Sequence, residues 1–428
     1  MDNLELNVHS VTRVEGHGNI AVSVRDGKLL HARLDIVESP RFFEVLVQGR
    51  KYHEVAGITS RICGICAVAH TTASLRATED AFGITPSAQT LALRKLVFHG
   101  EMLQSHILHV YFLVAPDLFG VGSVVPLAGT HGEVVKRALR MKMLANDLCA
   151  LVGGRHVHPV AMAINGFTKL PDMTALEVMR GRFEAARTDM DATVELFASV
   201  KLPEFERETE YISLKGVTEY PFYAGDIISS HGTVTGARAY RDIMTETVAP
   251  PNTAKHVHTK DGPFMVGALA RYNNNHALLH PKAKQAASAL GFYAPCHNPF
   301  MINIAQVVES VHCIEDAIRI MDGLLDGGME LEDLSVGPVP ARGVGVVEAP
   351  RGLLLHDYTY GPDGRATGAN CVIPTGQNLA NIEADMRAII PGITGRPEKE
   401  VAATLKMLVR AYDPCISCST HSMDVEFV

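Results

Sequence analysis

Two cysteine pairs of one form stand near opposite ends of the chain, Cys63-Gly-Ile-Cys66 and Cys415-Ile-Ser-Cys418. A C-x-x-C step lets both sulfurs of a pair face one centre, and four thiolates hold a soft or borderline metal. Two readings are open: a structural zinc site, the usual meaning of such pairs, or a catalytic or redox metal. A zinc ribbon keeps its pairs within a few dozen residues, whereas nearly the whole chain separates these. A shared metal would lie where the two ends of a large globule meet. Each pair sits in a distinctive frame, Arg61-Ile-Cys-Gly-Ile-Cys66 and Asp413-Pro-Cys-Ile-Ser-Cys-Ser-Thr-His421.

The other four cysteines (Cys149, Cys296, Cys313, Cys371) lack ferredoxin spacing, so no iron–sulfur cluster is expected within this chain. Eight cysteines in a cytosolic-looking sequence read as ligands and core residues rather than a disulfide framework. Two histidine pairs, His156/His158 and His256/His258, could suggest zinc, and the second reads as a solvated loop.

The net charge of -8 favours solubility and gives no support to nucleic-acid binding. No basic segment followed by an apolar core opens the chain, so no signal peptide is expected. The most apolar stretch, 107–129, contains His109, Pro116, Asp117 and Pro126, which suits a buried segment better than a membrane span.

The elements that must position the cysteines follow from periodicity. Residues 20–24 and 29–37 alternate around Asp26-Gly27, a hairpin signal within a first 40 residues that read as strands. After Cys66 the texture turns helical, with apolar residues at three- and four-residue spacing over 91–113, 132–151, 175–200 and 302–325. Pro171-Asp172 opens the third and Gly327-Gly328 stops the last. Segments 201–270 and 335–375 are rich in Gly, Pro, Thr and Val and read as loops with short strands. The expected fold is mainly α with a small N-terminal β-sheet, an α+β long-helix bundle, in one domain spanning 1–428.

Thr12-Arg-Val-Glu-Gly-His17, the two cysteine frames, Gly153-Gly-Arg-His-Val-His-Pro159, Ala349-Pro-Arg-Gly352 and Val372-Ile-Pro-Thr375 together resemble the large, catalytic subunit of nickel–iron hydrogenases, essentially end to end. The resemblance implies the large-subunit fold and reversible splitting of dihydrogen into protons and electrons. It makes Cys63 and Cys415 terminal nickel ligands and lets Cys66 and Cys418 bridge nickel to an iron carrying carbon monoxide and cyanide. Glu15 would exchange protons with a nickel thiolate, and Arg351, held by Asp413, would hang its guanidinium over the open metal position. Pro350 and Thr375 would surround the cyanide ligands, and His70 would hydrogen-bond near a bridging sulfur. The resemblance makes His156/His158 part of a packing motif rather than a zinc pair. Glu44, His421 and a backbone carbonyl at Cys371 would bind magnesium, or iron in that place.

The same resemblance implies partners. Two electrons must leave a buried site, so an iron–sulfur small subunit is required. Beyond it would lie a flavoprotein using NAD(P), a deazaflavin-reducing subunit or a heterodisulfide reductase module. Where membrane-bound uptake members carry an aspartate after the first pair, this chain has Ser105, and the Val37–Glu44 wording is similar to the soluble, cytoplasmic, bidirectional group. Ser422–Val428 would be removed by a maturation protease. Two other functions are weighed: a regulatory hydrogen sensor, against which the tail counts, and the quinone-site subunit of respiratory complex I, which lacks the four thiolates.

Overall fold

The structure, a computed structural model, describes residues 3–248 and 252–421; the proposed removable tail 422–428 lies outside the described residues. An N-terminal antiparallel sheet takes the order β1 (Leu4–Val8), β2 (Gly18–Arg25), β3 (Lys28–Ile36). Asp26 and Gly27 both have positive φ, 49° and 71°, as the tight turn between β2 and β3 demands.

Eight helices carry or brace the cysteine frames: α1 (Ala67–Phe82), α2 (Ala88–Leu108), α3 (Gly132–Gly153), α4 (Met173–Ala198), α5 (Ala268–Asn275), α6 (Ile302–Gly327), α7 (Pro374–Ile389) and α8 (Glu398–Ala411). Four of them realise the expected periodic stretches. Two of the starts are set by side-chain caps: Ser87 accepts the Thr90 amide at 3.0 Å and Asp172 the Ala175 amide at 2.9 Å. α2 packs against α3 and α6, and α6 also lies along α4. α6 is buried over most of its length, including Gln306, Glu309 and Ser310, because it runs through the middle of the bundle.

Three departures from the sequence reading have physical causes. The helix expected over 91–113 keeps α-helical bonding only to Leu108; His109–Val114 forms a wider turn that carries the chain to Pro116. Helices α7 and α8 are not among the expected stretches: buried Gln377, Asn378, Asn381 and Asp385 blur the apolar period of α7, whereas α8 does carry one, in Val401, Leu405, Leu408 and Val409. Segment 335–375, expected as loop with short strands, holds a regular antiparallel meander of β4 (Ala341–Ala349), β5 (Gly352–Tyr360) and β6 (Ala366–Val372). β4 and β5 are buried almost throughout, so they lack the alternation that marks a half-exposed strand. A further sheet in the middle of the chain joins Glu210–Leu214, Ile227–Ser229, Val234–Thr235 and Phe264–Met265. The fold is thus half helical with several small sheets rather than one. His256–His258 is a strand paired with Thr245–Thr247, and both histidines are partly buried, which corrects the solvated-loop reading.

Candidate metal centre

The cysteine frames meet. Cys63 follows a short turn, Ser60–Ile62, and Cys66 is the N-cap residue of α1. At the other end α8 stops at Ala411, and Asp413 turns the chain with φ 49°, a left-handed conformation that an aspartate tolerates better than most residues. Cys415 then pairs with Glu15 in a parallel bridge, and Ile416 donates its amide to the Glu15 carbonyl at 2.9 Å. Gly16 (φ 86°) is what allows this approach, since a Cβ there would lie 2.8 Å from the Ile416 Cβ.

Cys63 and Cys415 place their sulfurs 3.5 Å apart, and Cys66 and Cys418 theirs 3.9 Å apart. The Cys415 and Cys418 sulfurs are side by side at 2.50 Å. All four ligand atoms lie within 4.8 Å of one another and all four residues are buried. The thiols of one pair are inequivalent. A hydrogen bond from Cys66, aided by the charge of Arg351, pulls Cys63 down to about 7, while donating that bond and being buried push Cys66 up.

Three groups frame the sulfurs. Glu15, half-buried, accepts from Cys415 Sγ at 3.3 Å, from the Ser417 amide at 3.1 Å and from Ser417 Oγ at 2.5 Å. Arg351 is buried. Its Nε donates to the Asp413 carbonyl at 2.7 Å and its Nη2 to Asp413 Oδ1 at 3.0 Å, and its Nη1 has no partner among the described residues. Burial opposes its charge, but Asp413 and the two nearby cysteines outweigh that and hold its pKa above the usual arginine value. Asp413 is itself held by Gln306 Nε2 at 3.3 Å. Thr375 Oγ1, at the start of α7, accepts the Cys415 amide at 2.9 Å, and the carbonyl of buried Pro350 accepts from Arg271 at 3.1 Å. His70 Nδ1 faces His356 Nε2 at 3.1 Å rather than a sulfur. Burial, then the neighbouring His356, keeps His70 neutral.

A second polar cluster lies behind the C-terminal pair. His421 Nδ1 meets both Glu44 carboxylate oxygens at 2.7 Å, and the ring is fully buried with no partner for its Nε2 among the described residues. Burial would raise the Glu44 carboxyl, but His421 and Lys255 outweigh it and hold it below the usual carboxylate range. Lys255 Nζ lies 3.4 Å from Glu44 and 3.3 Å from Glu246. Cys371, opposite His356 in the β5–β6 pairing, has a buried thiol pushed well up by desolvation and then by Glu44. An orphaned buried imidazole nitrogen beside a carboxylate fits a cation there. Four buried thiols beside an orphaned guanidinium nitrogen fit a thiolate-bound metal pair.

Several residues around the centre carry no signal in sequence beyond an ordinary charge. Arg41 ties the two frames together, donating to the Ile62 carbonyl at 2.6 Å and the Ser417 carbonyl at 3.3 Å, while its amide donates to Thr420. Arg271 donates to the carbonyls of Ala349 and Pro350 and forms a two-pronged pair with Glu309, both contacts at 2.7 Å. The Glu101 carboxylate reaches the first turn of α1. Read singly, each would default to a surface charge; only the fold buries Arg271 and Glu101 and lays the half-buried Arg41 against both frames.

Four buried thiols drawn from both ends of one chain, with a carboxylate and a guanidinium beside them, define a thiolate-ligated metalloenzyme. The nickel-dependent hydrogenase family profile matches residues 41–131 and 260–421, and a HoxL-like profile matches 5–39. The chain is similar to the alpha chain of sulfhydrogenase 1 of Pyrococcus furiosus, 35% identical with 98% of each chain covered. It is also similar to a chain of the F420-non-reducing hydrogenase of Methanothermobacter thermautotrophicus, 30% identical over 98% of this chain and 95% of that one. Among solved structures, an NAD+-reducing nickel–iron hydrogenase in its H2-reduced state superposes with a TM-score of 0.88 at 27% identity, covering 98% of this chain and 99% of the other. The chain belongs to the nickel-dependent hydrogenase family. Within it, this is a catalytic large subunit: an oxidoreductase acting on hydrogen.

Proposed function

We propose that Cys63, Cys66, Cys415 and Cys418 hold one nickel and one iron, the iron carrying carbon monoxide and cyanide, and that the chain interconverts dihydrogen with two protons and two electrons. The observation that carries this is the convergence of four buried sulfurs within 4.8 Å, with Glu15 3.3 Å from one of them. Bound there, the metals would supply a Lewis acid that polarises dihydrogen beside a base.

The chain's own residues do the rest. A proton released at the site goes to Cys415 Sγ, which lies 3.3 Å from Glu15 Oε2. Glu15 is half-buried, so it can pass the proton outward, and Ser417, bonded to its other oxygen, holds it in place for that exchange. Arg351 presents its unpartnered Nη1 as a fixed positive donor, with Asp413 setting its orientation. Thr375 keeps its hydroxyl proton available for a cyanide ligand while fixing Cys415, and Pro350 would line the same place. His70, held by His356, would support the first cysteine frame. Glu44, His421 and the Cys371 carbonyl would bind magnesium, or iron in its place.

The chain acts as one domain whose last residues complete the centre, and it passes electrons to an iron–sulfur small subunit. Further electron-transfer subunits follow, of flavoprotein/NAD(P) or heterodisulfide reductase type. The enzyme works in the cytoplasm, as the Val37–Glu44 wording implies; among the described residues no helix is long and apolar enough to cross a membrane. His421 is fully buried against Glu44, so a maturation protease cutting after it would leave that contact intact; active enzyme should show an intact mass ending at His421. Elemental analysis tests the core of the proposal. Active protein should carry one nickel per large subunit, with iron at least equal to it once the cluster-bearing partner is removed, and stoichiometric zinc without nickel would falsify it.

A further inference from the structure

The helix that follows the first cysteine pair lacks a cap of its own. Its N-cap residue is Cys66, and no side chain there bonds the first turn. In most helices an N-cap oxygen takes the amide of the second or third helical residue. Sulfur is a weak acceptor, and the Cys66 sulfur faces Cys418 instead. The two amides concerned, Val68 and Ala69, donate to Glu101 Oε2 at 2.6 Å and Oε1 at 2.9 Å. Glu101 lies on α2, is 1% exposed, and spends both oxygens on this turn.

We propose that Glu101 is a positioning residue of the hydrogenase centre: it caps α1 from a neighbouring helix, so that Cys66 can occupy the N-cap position with its sulfur free for the metal. A cap supplied by residue 66 itself would need an oxygen where the sulfur must be. Placing the acceptor on α2 separates the two jobs, and it couples the packing of α2 on α1 to the direction of the Cα–Cβ bond of Cys66. Both oxygens accept N–H bonds, and the carboxyl group stands at the positive end of the helix, where the dipole favours its charged form. Burial pushes the carboxyl up to about 8 while the two amides pull it down.

The inference rests on Cys66 being a metal ligand, and the test keeps the two claims apart. Amide exchange at Val68 and Ala69 is measured on the full-length metal-free chain. Glu101→Gln should lower protection at those two amides by ~10-fold or more while leaving the middle of α1 unchanged. Cys66→Asp in the same background should restore it, because an aspartate there caps locally. Unchanged protection in Glu101→Gln, or no recovery in the double variant, overturns the proposal. If Glu101→Gln does not accumulate, Glu101→Asp, whose carboxylate is drawn back from the turn, is measured against the same criterion.

In the holoenzyme, Glu101→Gln should move the nickel electron paramagnetic resonance g values and lower kcat about tenfold with the KM for hydrogen unchanged. A wild-type spectrum with wild-type kcat sinks the positioning role. Cys66→Ser that keeps its nickel would instead remove the ligand assignment while the exchange result stood.

Discussion

At the residue scale, the centre works by fixing groups whose default behaviour would be different. A lone arginine is ordinarily a solvated cation, but Arg351 is held by the carbonyl and carboxylate of one residue, Asp413, and one of its nitrogens has no partner among the described residues. Arg351→Lys would lose the planar fork and leave a point charge elsewhere. Nickel and iron content should stay near wild type while hydrogen turnover falls by ~100-fold or more. Metal analysis beside a turnover assay decides, and full turnover would refute the role given to the guanidinium. Glu15→Gln keeps the shape but cannot take a proton. It should slow isotope exchange between dihydrogen and water by ~100-fold with metals intact.

At the element scale, α1 must sit close to β4 for Cys66 and His70 to reach their places. The contact is backbone to backbone. A Cβ on Gly345 would lie 2.0 Å from the Ala73 carbonyl oxygen, and one on Gly343 2.2 Å from that of Ala77. Neither neighbour is a flexible side-chain tip, so a methyl group would push the helix off the sheet. Gly345→Ala should destabilise by at least ~3 kcal/mol and reduce nickel incorporation, read by denaturant unfolding and elemental analysis. Near-wild-type stability would mean that α1 can shift freely. The wide turn His109–Val114 serves a related purpose: His109 bonds Gln306 at 2.6 Å and the Arg410 carbonyl at 2.7 Å, tying α2 to α6 and α8.

At the scale of the whole molecule, charges close the chain on itself. Asp117 binds Arg13 and Arg410, each at 2.5 Å, and Arg410 also donates to the Thr12 carbonyl, so the Glu15 segment and the C-terminal helix share one anchor. Deeper in, Arg271 pairs with Glu309 and Glu348, all fully buried. Burial opposes ionisation of Glu309, but Arg271 outweighs it and lowers the carboxyl from 4.5 to about 2. A depressed carboxylate stabilises the fold above its unfolded pKa and loses that contribution as pH falls through the folded one. Between pH 4.5 and about 2 the protein should therefore lose on the order of 3 kcal/mol from this group. Denaturation of wild type and Glu309→Gln across that window should show their stability difference closing as pH falls; a constant gap refutes it.

The sequence by itself determined the chemistry and the chain's long elements. Cysteine spacing within each frame is local, and a C-x-x-C step presents two sulfurs together whatever surrounds it. The apolar period of α3, α4 and α6 and the Asp26-Gly27 turn are likewise properties of a few neighbouring residues. What tertiary structure decided is everything that depends on burial and on contacts between distant segments. The buried strands β4 and β5 and the polar-rich α7 lack a readable period because their surroundings, not their sequence, make them interior. Arg41, Arg271 and Glu101 carry no local mark, since a charge becomes a clamp or a cap only when folding removes water and supplies its partner.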